Sequence, residues 1–403
     1  MLPTLMRKGL TKKSGLSLPA PFNRVEVPFF TFSLYFLCLV RFFDTKIFKE
    51  IASGHYPWRD DFANIWLASN LIKAGKVALA YDVSLFDQIG RLLHPLVPSM
   101  WNYPPLCFLF IWPFAFFPYG FSEILWAILG FSLFFLSAVK FLPLPFWPLF
   151  GVLLLSPACI ENIRMGQNGF FSAALLITGL RLLNARPYAS GACFGMMVFK
   201  PQLLLMAPFL LLITKAGRVI FTASLTALGL VGLSLALYGT EPWVSFFTTS
   251  IPLTKLLVFL VPHSVATIFN PSVFAAFRLT GASFPISMTA QILTFLLVVL
   301  AVLYTFKKTS DPFLRMGVLA PATLLASPYV MLYDTPLLTV GILAFLLGTP
   351  KPSFWQKGVA VVAWFAPTFI QPLNAIHIPL APLAFLGFLA AALISVIKAP
   401  RSA

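Results

Sequence analysis

Two adjacent carboxylates, Asp60 and Asp61, stand in the run YPWRDDFANIW of a chain that holds only 12 acidic residues. Carboxylates at a loop–helix junction have two chemical uses. One is a general base that takes the proton of an attacking hydroxyl; the other is a pair of hard oxygen ligands for a divalent cation. They also have a structural use, because Asp is a favoured helix N-cap. In a pair, one can cap while the other works. Lys200 in VFKPQL ends an apolar stretch just before a proline. An ammonium there is costly unless it snorkels to the headgroups or meets an anion such as a lipid phosphate. Arg164 in ENIRMGQNG is a second cation, and Gln167 and Asn168 follow it at the start of another apolar run. Backbone N–H groups at such a start can hold a phosphate, or Asn168 can simply cap the helix. Tyr333 and Asp334 open a later run, with Asp334 as an N-cap or as an acceptor for sugar hydroxyls. His263, Arg278 and His377 are weaker candidates with less local context.

The elements that carry these groups are set by composition. Of 403 residues, 59% are hydrophobic and 10% charged, and the mean hydropathy is +0.90. Soluble domains carry roughly 25% charged residues. The apolar residues come in long blocks rather than in alternation, which excludes a soluble globule and predicts an all-α polytopic membrane protein. The 44 Phe and 34 Pro predict kinked, aromatic-lined helices. A formal charge of +16 would suggest nucleic acid in a soluble chain. Here the Lys and Arg fall in short loops between apolar blocks, where topology explains them and no nucleic-acid partner is needed. The four cysteines, Cys38, Cys107, Cys159 and Cys193, lack CxxC spacing and read as core residues.

The basic loops also orient the chain. Residues 1–26 read as a cytoplasmic tail ahead of an uncleaved first span, and residues 27–403 as a single membrane domain. Residues 44–120 form a long outer loop with two interfacial helices, FANIWLASNLIKAG and SLFDQIGRLLHPL, and a third, proline-broken and partly embedded one, YPPLCFLFIWPFAFF. Residues 239–285 form a second outer loop with partly embedded segments. About twelve spans result, with both termini cytoplasmic, in a plasma membrane such as a bacterial inner membrane. Under this parity Asp60, Asp61, ENIRMGQN, Lys200, His263, Arg278, SPYVMLYD and His377 all reach the extracytoplasmic face.

DF in a first outer loop, YPPL, GQN opening a span, a small-residue helix ending in KP, and SP…YD before a late span resemble, in this order, glycosyltransferase family 87 of the GT-C class. The resemblance runs from about residue 60 to residue 340. It implies a GT-C-like helical bundle, a polyprenyl-phosphate-linked sugar donor, typically mannose, and inverting transfer to a lipid or glycan acceptor among the membrane lipids. It puts the family's catalytic Asp on Asp61, with Asp60 as a neighbour that holds the acceptor or raises the basicity of its partner. The family's KP lysine falls on Lys200, its GQN on Gln167 and Asn168, and its YD on Tyr333 and Asp334. Lys200, Arg164, Gln167 and Asn168 then read as donor-phosphate residues. Tyr333, Asp334, Tyr329 and His263 read as sugar- or acceptor-binding residues. Where the family commonly has a histidine after SP, this chain has Tyr329. A divalent metal stays open as a cofactor. No GxGxxG or GxxxxGK[ST] loop occurs, so nucleotide chemistry has no sequence support. A polytopic lipid or sugar transporter or flippase is the rival reading. It predicts ionisable groups near the bilayer midplane and repeated halves, and the sequence shows neither.

Overall fold

The computed structural model describes residues 61–93 and 100–400. The expected tail, the expected first span and Asp60 lie outside the described residues. Within them every regular element is helical.

Five helices are long and apolar enough to cross a bilayer: Tyr119–Phe141, Gly217–Tyr238, Glu241–Leu260, Phe284–Lys308 and Ala381–Lys398. The pair Phe146–Leu154 and Pro157–Arg164, bent by 57°, makes a sixth if counted as one broken span. The bend has a local cause: Ser156 caps the second helix by accepting from the Cys159 N–H, and Pro157 occupies its first position. Other expected crossings correspond to shorter apolar helices such as Gly169–Leu182, Pro312–Ala326 and Pro336–Gly348. At about 1.5 Å per residue, a helix of that size covers roughly two thirds of a 30 Å core.

The expected second outer loop holds one unbroken helix, Glu241–Leu260. Wider π-turns at Phe246–Ser250 and Leu256–Leu260 carry the helical hydrogen bonding past Pro252. This helix lies against the preceding loop layer, because Ser250 Oγ donates to the Trp101 carbonyl at 3.0 Å and Thr254 Oγ1 to Asn102 Oδ1 at 3.4 Å.

Two apolar cores result. The larger runs through the bundle and centres on Phe134, Phe170, Phe345, Phe385 and Phe388, all fully buried. The smaller sits beneath the first loop, where Phe62, Ile65 and Ala68 of helix Phe62–Lys73 pack on Phe86, Trp101, Phe108 and Trp126. Lys73 closes that helix by donating to the Ala115 carbonyl at 3.3 Å while lying over the Phe116 ring. The expected third segment of this loop is broken into short turns over Pro105–Phe116.

Small residues set one close helix crossing. A Cβ on Gly191 would meet Thr222 Cβ and the Val219 carbonyl at 2.6 Å, and one on Gly195 would meet the Ala223 carbonyl at 2.5 Å. The GxxxG spacing thus lets helix Pro187–Met196 dock backbone to backbone on Gly217–Tyr238. That contact holds the segment leading into Lys200.

Candidate active site

The turn Arg164–Gly169 is the organising element. Helix Pro157–Arg164 ends with Gly166 at φ +58, the left-handed conformation glycine tolerates best. The Gly166 N–H bonds the Ile163 carbonyl and the Gln167 N–H bonds the Asn162 carbonyl. This is the Schellman pattern of a helix C-terminus. The N–H groups of Gly166 and Gln167 are thus spent in closing the turn, and the side chains of Gln167 and Asn168 reach other parts of the chain.

Asp61 precedes helix Phe62–Lys73 and occupies its N-cap, but its carboxylate does not cap. Its backbone N–H bonds the Met165 carbonyl at 3.0 Å, and its Oδ2 accepts from Gln167 Nε2 at 2.6 Å. The first loop is thus pinned to the central turn through the carboxylate itself. Gln167 is buried, and its Oε1 accepts from the Tyr103 hydroxyl at 2.8 Å. Tyr103 was not among the residues that sequence reasoning chose. Its only sequence signal was its place in YPPL, where the prolines drew attention to helix breaking rather than to the phenol.

Asn168 precedes helix Gly169–Leu182, again without a side-chain cap. Its Oδ1 accepts from Lys200 Nζ at 2.8 Å. Lys200 does not snorkel: the residue is 3% exposed and its ammonium is ion-paired with Asp334 Oδ1. It also lies 4.8 Å from the centre of the Tyr333 ring. Asp334 is 2% exposed. Its Oδ2 accepts from the Met331 N–H at 3.0 Å, which closes the 3-10 turn before helix Pro336–Gly348. The N-cap of that helix is Thr335, not Asp334.

The loop carrying Tyr329, Tyr333 and Asp334 is stitched down on three sides. The Tyr333 carbonyl accepts from Asn162 Nδ2 at 2.8 Å, the Leu332 N–H bonds the Phe269 carbonyl at 2.9 Å, and the Pro328 carbonyl accepts from Asn270 Nδ2 at 2.8 Å. Gly169 is required at the first of these. A Cβ there would fall 1.8 Å from the Tyr333 carbonyl oxygen and 2.4 Å from Asn162 Nδ2.

Arg164 and His263 sit apart from this network. Arg164 is ion-paired with Glu161 at 2.6 Å and reaches Gln371 Oε1 at 3.3 Å. His263 is exposed and sets its ring edge-on to His377, with centroids 4.7 Å apart. Arg278 Nη1 donates to the Ala282 carbonyl at 2.9 Å. Among the described residues, no three His, Cys, Asp or Glu side chains converge as metal ligands.

Burial raises the phenols of Tyr103, Tyr329 and Tyr333 above their ordinary value, and the negative charges of Asp61 and Asp334 add to the effect. All three stay neutral hydrogen-bond donors at physiological pH. The site thus combines one partly exposed carboxylate at its edge with a charge-compensated Lys200–Asp334 pair beneath, and phenols line it.

These features define an all-helical, multi-pass membrane protein with one dense polar network joining five separate chain segments. The family model for glycosyltransferase family 87 matches residues 101–328, more than half of the chain, and the chain belongs to that family. It is a membrane glycosyltransferase. The matched stretch holds Tyr103, Arg164, Gln167, Asn168, Lys200 and His263 and ends one residue before Tyr329, while Asp61 precedes it. No curated protein and no solved structure matches the chain.

Proposed function

We propose that the protein moves a sugar, in the first instance mannose, from a polyprenyl-phosphate donor to a lipid or glycan acceptor at the extracytoplasmic face, with inversion and with Asp61 as general base. The observation that carries this reading is the contrast between the two site carboxylates. Asp334 is buried and neutralised by Lys200, whereas Asp61 keeps solvent access and is held by a neutral amide that stabilises its charged form.

The acceptor hydroxyl gives its proton to Asp61 as its oxygen bonds to the anomeric carbon. The bond from that carbon to the donor phosphate breaks, and the lipid phosphate leaves with the electron pair. Lys200 and Arg164 both enter the reaction already paired with carboxylates. Stabilisation of the leaving phosphate then comes from hydrogen bonds in an enclosed site rather than from a bare charge. Two of the three Lys200 N–H groups are engaged by Asn168 and Asp334, which leaves one for a phosphate oxygen. Tyr329 supplies a neutral donor where the family commonly has histidine, so that position binds rather than relays protons near neutral pH. Arg164 and His263 stand at the periphery of this scheme, and a divalent cation at Asp60 and Asp61 remains a further element to assay. The extracytoplasmic placement rests on the distribution of basic loops, as do the plasma-membrane location and the twelve-span bundle with both termini cytoplasmic.

The test is transfer of radiolabelled sugar from polyprenyl-phosphate donors to membrane lipids by purified protein, with and without added divalent cations. Asp61→Asn should lower the rate by about 10²–10⁴-fold, the typical contribution of a general base. Melting in detergent, measured on the same preparation, separates loss of chemistry from loss of fold, since the carboxylate also pins the first loop to the central turn. Transfer at the wild-type rate refutes the assignment.

A further inference from the structure

Gln167 faces a choice that its own chemistry does not resolve. A glutamine amide carries an oxygen and an NH₂ group of nearly equal size, and either end can turn towards a neighbour. Towards an ionised carboxylate only the NH₂ end is attractive; the oxygen end sets acceptor against acceptor. Asp61 Oδ2 lies 2.6 Å from Gln167 Nε2, so the state of that amide decides the field felt by the proposed base. On the far side of the amide, Oε1 is held twice, by the Tyr103 hydroxyl at 2.8 Å and by the Asn168 N–H at 3.4 Å.

The longer of these is a weak contact by geometry, so the phenol is the main lock. Tyr103 is itself fixed: its carbonyl accepts from the Tyr81 hydroxyl at 2.7 Å, its ring packs on Trp101 at 5.2 Å, and Pro104 and Pro105 follow it. Trp101 is tied through its carbonyl to Ser250 and is stacked on Phe108 at 5.4 Å. Burial keeps the phenol protonated, so it remains a donor.

We propose that Tyr103 is a positioning residue for the transfer reaction, acting through Gln167 to hold the amide NH₂ on Asp61. The inference rests on the reading of Asp61 as the base. Tyr103 does not touch the reacting atoms; it fixes the polarity of an amide that bonds the carboxylate. Tyr329, Tyr333, Asp334 and Lys200 lie close to the same network. Among the described residues, none of these four hydrogen-bonds the Gln167 amide.

The experiment uses the full chain in detergent. The Asp61 carboxyl is labelled with a carbodiimide and glycine ethyl ester, and the modified peptide is quantified by mass spectrometry across pH. Only protonated carboxyls react with the carbodiimide, so the midpoint reports the charge state of Asp61 without any sugar donor. Tyr103→Phe removes the donor and keeps the ring. The midpoint should rise by roughly half to one pH unit, since a lost hydrogen bond to the charged form disfavours that form. Gln167→Leu should shift it by a similar amount, and the double variant should add nothing further. In the transfer assay, Tyr103→Phe should lower kcat with KM nearly unchanged and move the acid limb of the activity profile upward by the labelling shift.

An unmoved midpoint in Tyr103→Phe, or fully additive shifts in the double variant, overturns the proposal. Should Tyr103→Phe fail to fold, Gln167→Leu alone decides, and an unmoved midpoint there overturns it equally. The two readings separate cleanly. If Asp61→Asn still transfers sugar while the midpoint shifts as expected, the base assignment fails and the positioning contact stands. If Asp61→Asn is inactive and the midpoint stays put, the reverse holds.

Discussion

Replacing Lys200 by methionine removes the positive charge paired with Asp334 while keeping most of the side-chain volume. The side chains of Lys200 and Asp334 are 4% and 0% exposed, so water does not reach Asp334 to replace the lost partner. Breaking a buried ion pair from one side typically costs about 3–5 kcal/mol, because the remaining charge is left uncompensated. The Asn168 Oδ1 acceptor is orphaned in the same step, and an unsatisfied buried polar atom adds about 1–3 kcal/mol. The Met331 N–H still holds Asp334 Oδ2 and offsets part of this. Taking about 4 kcal/mol net, and about 2 °C per kcal/mol for a chain of this size, the melting temperature should fall by on the order of 8 °C. The assay is thermal unfolding in detergent micelles at a fixed scan rate, run as a double-mutant cycle with Asp334→Asn. Neutralising Asp334 in the methionine background should recover at least half of the loss, since it is the stranded charge that is costly. If Lys200→Met melts with the wild type, or if the second substitution lowers stability further, the pair does not hold the site together and the reasoning is refuted.

Further outcomes follow from the glycines and from the helix crossing. Gly169→Ala should destabilise the fold by about 1–3 kcal/mol or more and abolish transfer, because a Cβ 1.8 Å from the Tyr333 carbonyl displaces the loop that carries Asp334. Gly217→Ala is the control, with no atom within 4 Å of the added Cβ, and should leave melting and transfer unchanged. Gly191→Val should force helix Pro187–Met196 off its partner; lowered melting together with reduced transfer, measured on the same preparations, checks that this crossing carries Lys200 to its place. Ser156→Ala should cost about 1 kcal/mol by loss of the N-cap at the bent span, read by melting alone, with transfer kept.

Membrane class, helical content and the residues rich in chemistry were all legible along the chain, because each depends on a window of a few residues to about twenty. Blocks of apolar residues read as helices, and the polar runs at their ends read as candidate site residues. Helix Glu241–Leu260 is apolar enough to span, yet the parity of the basic loops puts residues 239–285 in an outer loop with partly embedded segments. The role of each polar residue was not legible. Asp61, Asn168 and Asp334 all stand where a cap is the local reading, and in all three the side chain reaches a partner far along the chain, Asp334 while also closing its own turn on the Met331 N–H. Asp61 meets Gln167 across 106 positions, Lys200 meets Asn168 across 32, and Lys200 meets Asp334 across 134. Local propensity cannot distinguish these uses, because a capping Asp and a site Asp share the same neighbours in sequence. Arg164 looked like an open cation until the packing set it against Glu161 and Gln371. Tyr103 looked like part of a proline-rich break until the fold brought its hydroxyl to Gln167. Which residues carry charge was written in the chain; that Lys200 is spent on Asp334 and Arg164 on Glu161 was decided only when packing closed the distances between them.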